Sequence, residues 1–100
     1  MRYVQLKREE QARLICDHIC INGRIFELSV TLDEEFGGKD SLQGGRILFL
    51  LISEEGVAAG YFHDGSWEIP VPEWDHELNL ALGYFVEKYN KMRNMDEKGE

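Results

Sequence analysis

The sequence has no apolar run long enough to cross a bilayer, which takes roughly 18 to 20 residues. Its longest apolar run covers only residues 47–52. The chain also becomes charged at residues 7–10, where a signal peptide would need its hydrophobic segment. We therefore expect neither membrane association nor secretion, and predict a cytoplasmic protein.

Catalytic signatures are absent as well. There is no serine nucleophile elbow, no phosphate-binding loop and no His-Glu-x-x-His zinc motif. The remaining candidates are His63-Asp64, Asp75-His76 and the acidic residues 33–35, but none comes with a recognisable pocket or positioned partner for a general base. We expect that the protein is not an enzyme.

Cysteine is scarce, with only Cys16 and Cys20 present. In the strand that we predict for this segment their Cα atoms would lie about 13 Å apart, too far for a disulfide within the strand. His18 lies between them on the same face, which suggests a metal site. Zinc ligands must converge to about 2 Å from one point, however, and an extended strand spreads these side chains apart. We interpret all three as half-buried strand residues and expect no metal and no cofactor.

Turn signals are plentiful and nearly regular in spacing. They separate short apolar runs and consist of Asn22-Gly23, Gly37-Gly38, Gly44-Gly45, Glu55-Gly56 and Asp64-Gly65. This rhythm predicts an antiparallel meander. Asn-Gly favours a two-residue type I′ turn, because both of its positions need positive φ. With that turn at residues 22–23, Phe26 faces Ile19 and Val30 faces Ile15, which places apolar side chains together.

The rest of the chain adds three further elements. Residues 33–45 form one long, acidic connection, which is typical of a functional loop. Residues 66–72 contain prolines that exclude the middle of a sheet, so they form an edge strand or an extended lead into a helix. From Glu73 onwards the apolar residues follow a period of 3.6, which predicts a helix. The buried stripe of that helix comprises Trp74, Leu78, Ala81, Leu82, Phe85, Tyr89 and Met92.

We therefore predict an α+β fold, a four-stranded antiparallel β-meander with one C-terminal α-helix packed on one face. Residues 14–93 make up this single domain, residues 1–13 are a strand, a short helix or a frayed arm, and residues 94–100 are a disordered tail. The predicted core consists of Ile15, Ile19, Phe26, Leu28, Val30, Ile47, Phe49, Leu51, Leu78, Leu82 and Phe85.

One strand of this meander, residues 46–53, is apolar on both faces, although one helix covers only one face of a small sheet. The second face would combine Leu48, Leu50 and Ile52 with Leu14, Cys16, Cys20 and Ile25. An apolar patch of that size is larger than monomers usually expose. Either the N-terminal segment covers it or two copies pack face to face, and we favour the homodimer.

Charge is distributed unevenly. Residues 33–77 carry two basic and eleven acidic side chains, a net charge of −9, out of −8 for the whole chain. One explanation is that such acids improve solubility and suit turns and a helix start. The alternative is that they form a patch that engages a basic partner, and the same charge disfavours direct binding to nucleic acid. The predicted partner-binding residues are Asp33, Glu34, Glu35, Asp40, Glu54, Glu55, Asp64 and Glu68.

Residues 15–90 resemble a small domain of unknown function that is widespread in phages and mobile elements of Gram-positive bacteria. The matching features are the Asn-Gly hairpin of residues 21–26, Asp33-Glu34, the Gly-Arg-Ile start at residues 44–47, Gly56-Val57, Tyr61, residues 64–67 and Pro70. The chain departs from the family's pattern at residues 63–67, where the family has a more compact Asp-x-Gly-Trp.

This resemblance implies a phage context in a bacterial host cell and no catalytic residue. By analogy with anti-CRISPR proteins, we expect a phage-encoded inhibitor of a host defence protein, whose basic surface normally holds nucleic acid. The alternative is a self-associating phage accessory or structural protein. A third class is a sponge for a small nucleotide signal, with Arg24 and Arg46 supplying a basic pocket.

Overall fold

The computed structural model describes residues 14–33 and 40–91. The predictions for residues 1–13 and for the tail at residues 94–100 lie outside this part of the chain. The strands are β1 (Ile15–Ile21), β2 (Arg24–Leu32), β3 (Ile47–Glu54), β4 (Val57–His63) and β5 (Ser66–Ile69). A short 3₁₀ helix (Leu42–Gly44) precedes β3, and one α-helix, α1 (His76–Asn90), follows β5.

The strands form one antiparallel sheet in the order β1-β2-β3-β4-β5, which confirms the α+β meander. The predicted number of four strands is wrong, because residues 66–69 pair with β4 as a fifth strand. Pro70 follows directly and has no backbone N–H to continue the ladder. The strand is therefore short and lies at the edge of the sheet, where proline is tolerated.

Type I′ geometry closes the hairpins. At residues 22–23 both φ angles are positive, 51° for Asn22 and 82° for Gly23. The turns at residues 55–56 and 64–65 have the same pattern. The register that the first turn implies is confirmed, since Ile19 pairs with Phe26 and residue 15 with residue 30.

The core lies between α1 and one face of the sheet. Its members are Phe26, Leu28, Val30, Leu42, Ile47, Leu50, Ile52, Phe62, Leu78, Ala81, Phe85, Val86 and Tyr89, and Ile15, Ile19 and Leu82 pack against them while partly buried. Most of the predicted core is therefore confirmed. Leu51 is an exception, because it is only half-buried.

Strand β3 is the element whose faces were predicted wrongly. We expected Phe49 and Leu51 to lie under the helix, but Leu50 and Ile52 belong to the core cluster there. Phe49 is buried on the opposite face, where its ring lies 5.4 Å from that of Tyr61. The strand is apolar on both faces, so alternation alone does not decide which set of side chains meets the helix.

A bulge places Ile47 in the core in spite of that reversal. Thr31 pairs with Phe49, whereas the next residue, Leu32, pairs with Ile47. Leu48 is therefore the extra residue of β3 at this point. An extra residue in one strand shifts the alternation by one position, so Ile47 returns to the helix face.

The helix starts later than its sequence pattern indicated. Asp75 is its N-cap, and the Asp75 side chain accepts a hydrogen bond from the backbone N–H of Leu78. Trp74 therefore precedes the helix, is 81% exposed and does not belong to the buried stripe. Met92 lies outside the described residues.

The antiparallel order gives the sheet two different ends. We call one the turn end: it carries the turns at residues 22–23 and 55–56 and the start of α1. We call the other the loop end: it carries the connection between β2 and β3, the turn at residues 64–65 and the last residue of α1. Side chains of α1 bond to both ends, Asp75 to Arg24 and Asn90 to the backbone of Arg46.

Candidate binding site

The predicted partner-binding acids divide between the two ends of the sheet. The loop end carries Asp33, Asp40, Asp64 and Glu68, the turn end carries Glu54 and Glu55, and Glu34 and Glu35 lie outside the described residues. The eight residues of β3 place Asp33 and Asp64 about 20 Å from Glu54 and Glu55. Glu68 lies nearer the middle of the sheet, because Trp67 pairs with Phe62 and Phe62 with Leu50, and its carboxylate is joined to the loop end through His63. The described acids therefore form two clusters and not one continuous patch.

At the loop end, Asp40 lies against the turn between β4 and β5. A side chain at Gly65 would begin 3.1 Å from the Asp40 carboxylate oxygen and 3.6 Å from the Asp40 Cα. Gly65 also has a φ of 82°. Glycine at this position therefore serves both the turn and the close approach that brings Asp40 to Asp64.

His63 connects two of the loop-end acids. Its ring stacks on Tyr61, with the centroids 4.6 Å apart and an interplanar angle of 14°. His63 Nε2 lies 2.7 Å from a Glu68 oxygen, and Nδ1 lies 3.1 Å from an Asp64 oxygen. Both ring nitrogens therefore face carboxylates. This arrangement fixes Asp64 and Glu68 relative to β4.

Asn90, the last residue of α1, fixes the backbone of the loop end. Its Oδ1 accepts hydrogen bonds from the N–H groups of Arg46 (2.8 Å) and Ile47 (3.2 Å). Its Nδ2 donates to the carbonyl of Leu42 at 3.3 Å. The Asn90 side chain occupies the space where a Cβ on Gly45 would lie, so position 45 requires glycine.

Asp33 is held next to the start of β3. Its N–H donates to the carbonyl of Arg46 at 2.6 Å, and Arg46 Nε donates to the carbonyl of Asp33 at 2.8 Å. Arg46 itself is buried. Two chain segments on either side of the long connection are thereby joined, and Asp33 has a fixed backbone position at the loop end.

At the turn end, Arg24 is surrounded by three carboxylates. Its guanidinium makes paired hydrogen bonds to Asp75 (2.7 and 2.9 Å) and to Glu54 (2.9 and 2.8 Å), and a further one of 3.2 Å to Glu77. Hydrogen bonding to Arg24 lowers the pKa of Glu54 and of Asp75, and it raises the pKa of Arg24. The pKa of Glu77 is lowered chiefly by a hydrogen bond from Asn22.

This network uses the turn-end acids to join β2, β3 and the start of α1. Glu54 is therefore already engaged inside the fold, unlike exposed Glu55 on the neighbouring turn. Arg24 and Arg46, the two residues considered for a nucleotide pocket, lie at opposite ends of the sheet. They do not line a common pocket.

An apolar groove of about 760 Å³ runs between α1 and the segment formed by the 3₁₀ helix, β5 and the residues after it. Sequence reasoning did not predict it. Its walls include Leu42, Trp67 and Leu82, and it reaches the loop end beside Leu42. Such a volume falls in the range of ligand and peptide pockets, roughly 300–1,000 Å³.

Two locally unfavourable residues line this groove. Gln43 has a φ of 54°, which costs a non-glycine residue on the order of 1 kcal/mol. Gly83 lies in the interior of α1, where glycine costs about 1 kcal/mol relative to alanine. Among residues 14–33 and 40–91, nothing lies within 4 Å of the place where a Cβ on Gly83 would be, so no contact in this part of the chain requires glycine there.

Within residues 14–33 and 40–91, no three His, Cys, Asp or Glu side chains come together in a way that would hold a metal ion. Cys16 and Cys20 are free thiols. Both are exposed, as is His18, so our interpretation of them as half-buried was wrong. The one α-helix in this part of the chain is not long and apolar enough to span a membrane.

Comparison of the chain with protein-family models, with curated proteins and with solved structures finds no match.

Proposed function

We propose that this protein is a non-catalytic binding protein that covers a basic surface of another protein with the loop end of its sheet. The observation that carries the proposal is the gathering of Asp33, Asp40, Asp64 and Glu68 at that end. Acids arranged on a fixed scaffold attract a basic partner and orient it.

Exposed ion pairs each contribute little to binding affinity. The groove would add an apolar contact to the charged contacts of the loop end. It reaches the loop end at Leu42 and Gln43, which follow Asp40 in the chain by two and three residues. The partner segment that fits this combination carries an apolar side chain for the groove and Lys or Arg residues beside it. Asp40 is the acid nearest in the chain to that point of the groove.

The resemblance to a phage domain supports a finer version of the proposal. In that version the protein is a phage-encoded, anti-CRISPR-like inhibitor, and its target is a host defence protein whose basic surface otherwise holds nucleic acid. The net charge of −8 supports competition with nucleic acid, because the protein presents the same sign of charge. It acts in the bacterial cytoplasm and binds no nucleic acid itself.

Affinity capture with matched variants tests the proposal. The loop-end variant combines Asp40→Asn, Asp64→Asn and Glu68→Gln, and the turn-end variant combines Glu27→Gln, Glu55→Gln and Glu73→Gln. Each removes three negative charges with little change in shape, and the second set is exposed and away from the loop end. Captured proteins from a bacterial lysate are identified by mass spectrometry.

We expect wild type and the turn-end variant to capture the same protein, and the loop-end variant to capture at least tenfold less of it. Added duplex DNA or RNA should displace this protein from wild type. If both variants capture as much of this protein as wild type does, the proposal is contradicted. If both capture equally less, net charge and not the loop end accounts for binding, which also contradicts the proposal. Gly83→Leu tests the groove separately: the variant should fold as wild type and capture at least tenfold less partner. Its matched control is Leu80→Ala on the exposed face of α1.

A further inference from the structure

The outer edge of β1 has backbone groups that no strand in residues 14–33 and 40–91 takes up. Ile21 and Arg24 flank the type I′ turn and pair with each other, so their N–H and C=O groups point towards one another. Backbone direction alternates along an antiparallel strand. The groups of Cys16, His18 and Cys20 therefore point outward, away from β2. Within one copy the His18 N–H donates to the Asp17 side chain at 2.7 Å, so pairing with a second copy exchanges that bond for one across the edge.

The sequence of β1 is nearly palindromic about His18. The strand reads Ile-Cys-Asp-His-Ile-Cys-Ile. Reversal about the centre exchanges Cys16 with Cys20 and Ile15 with Ile21, and only Asp17 and Ile19 differ. A two-fold symmetric contact places each residue opposite its mirror position, so this strand would place Cys opposite Cys and Ile opposite Ile, which brings apolar side chains together.

We propose that the outer edge of β1 pairs antiparallel with β1 of a second copy, with the two His18 residues opposite each other on the two-fold axis. This register pairs all seven residues of the strand, and the outward groups of Cys16, His18 and Cys20 form the ladder. The two sheets become one sheet of ten strands. The inference does not depend on the proposed function, which uses the loop end.

The position of the two-fold axis decides whether the two Asp17 carboxylates repel each other. With the axis at Asp17, two Asp17 carboxylates would face each other, whereas with the axis at His18 each Asp17 faces Ile19 of the second copy. Asp17 is also compensated within its own chain, because Lys88 Nζ (2.8 Å) and the Tyr89 hydroxyl (2.7 Å) both donate to it. The edge has no proline, lysine or bulge of the kind that blocks such pairing.

The face-to-face dimer that the sequence suggested used a different surface. That surface does not exist as predicted, since two of its members, Leu50 and Ile52, belong to the core cluster under the helix. The edge dimer requires neither face of the sheet. Each copy carries a net charge of −8, so the edge dimer should strengthen as salt rises, the opposite of an acid-mediated contact with a basic partner.

The register makes a covalent prediction that tests it. Cys16 lies directly opposite Cys20 of the second copy, at the Cα separation of about 5.5 Å that a hydrogen-bonded antiparallel pair has and a disulfide accepts. With diamide as oxidant, each pair of thiols loses two protons and two electrons to form one disulfide, and the diazene is reduced to the hydrazine. We expect wild type to give a covalent dimer on a non-reducing gel.

Single cysteine variants distinguish this register from random oxidation. When Cys16→Ser or Cys20→Ser is oxidised alone, the yield of covalent dimer should fall at least tenfold. Each disulfide joins Cys16 of one copy to Cys20 of the other, so either substitution removes one partner from both disulfides. A mixture of the two variants should recover a dimer of one chain of each, joined by one disulfide. Wild-type chains that stay monomeric under diamide, or Cys16→Ser chains that cross-link alone as well as wild type, overturn the proposal.

A proline at the axis supplies a test that does not depend on cysteine chemistry. His18→Pro removes an outward N–H and leaves the pairing with β2 intact, whereas His18→Ala keeps the N–H and serves as the control. In sedimentation at high salt, His18→Pro should be monomeric and His18→Ala should dimerise, and far-UV circular dichroism should show both variants folded. His18→Pro should melt at a lower temperature than His18→Ala, because it also loses the N–H that donates to Asp17 at 2.7 Å. Equal dimerisation of both variants overturns the edge pairing.

Discussion

At the scale of single residues, Asp17 shows how one carboxylate joins the first strand to the end of the helix. It accepts hydrogen bonds from Lys88 and Tyr89 and from the backbone N–H of His18. The bond from Lys88 contributes most to lowering the pKa of Asp17 to about 2. Burial, with the bond to Asp17 second, raises the pKa of Tyr89 to about 12.

Asp17 should therefore make stability depend on acid pH. Because the pKa in the folded state is lower than in the unfolded state, this contribution is complete above about pH 4 and is lost as pH falls towards 2. Lys88 is partly exposed, so solvent screening limits the contribution to about 1–2 kcal/mol. We expect Asp17→Asn to lower the free energy of unfolding by that amount at pH 7.

Urea unfolding of both proteins from pH 7 to pH 2 measures this contribution. The difference between wild type and variant should shrink below pH 4 and be nearly gone at pH 2. Other carboxylates with lowered pKa, such as Glu54, titrate equally in both proteins and cancel in the difference. A difference that stays constant with pH would mean that the charge of Asp17 is not what stabilises the fold.

Thr31 presents a buried hydroxyl whose Oγ1 has no hydrogen-bond partner among the residues that the structure describes. An unpaired buried hydroxyl costs free energy, while valine has nearly the same shape and no polar atom. We expect Thr31→Val to raise the free energy of unfolding by about 0.5–1 kcal/mol. Thr31→Ser, which keeps the hydroxyl and removes the methyl group, should lower it. A Thr31→Val protein less stable than wild type in urea would contradict this.

At the scale of elements, glycine has opposite roles in the first hairpin and in the helix. Gly23 adopts a φ of 82°, so Gly23→Val should lower the free energy of unfolding by about 1–3 kcal/mol. Gly83 has helical geometry and open space beside it, so Gly83→Ala should raise that free energy by about 0.5–1 kcal/mol. Chemical denaturation of both variants measures the two effects. If both substitutions raised, or both lowered, the free energy of unfolding, the opposite roles of the two glycines would be refuted.

The Arg24 network fixes the start of α1 to the sheet. Loss of the guanidinium leaves Glu54, Asp75 and Glu77 close together without their cation. We expect Arg24→Gln to lower the melting midpoint by several degrees and Arg24→Lys by less, because lysine keeps the charge but not the paired hydrogen bonds. Lys91→Ala, which removes an exposed i,i+4 pair, should change it little. Identical midpoints for the two Arg24 variants would contradict the role of paired bonding.

The elements also show what the sequence could specify. Asn22-Gly23 was enough to predict the first turn and the register of β1 with β2, because few other residue pairs adopt positive φ at two consecutive positions. The faces of β3 were not determined, since that strand is apolar on both sides and a long connection separates it from β2. Trp74 was misplaced because the helical period was extended past the N-cap at Asp75. The fifth strand is short, and prolines follow it. Such a segment fits an edge strand and an extended lead into a helix equally well, so the sequence did not decide between the two.

At the scale of the whole molecule, the alternation of turns and connections decides which acids meet. Sequence alone showed a net charge of −9 over residues 33–77 but not its division between two ends of a sheet. That division follows from the strand order, which brings Asp40 beside the turn at residues 64–65. The groove involves side chains from three separate elements, so no single segment of sequence revealed it.

The salt dependence of partner binding tests the central claim most directly. The captured protein, once purified, is titrated with wild type, the loop-end variant and the turn-end variant between low and physiological salt. Wild type and the turn-end variant should lose affinity steeply and in parallel as salt rises, because exposed charges are screened beyond about 8 to 10 Å. The loop-end variant should bind at least tenfold more weakly at low salt and with a shallower slope. Parallel slopes and equal affinities for all three proteins would contradict the claim that the loop end is the binding surface.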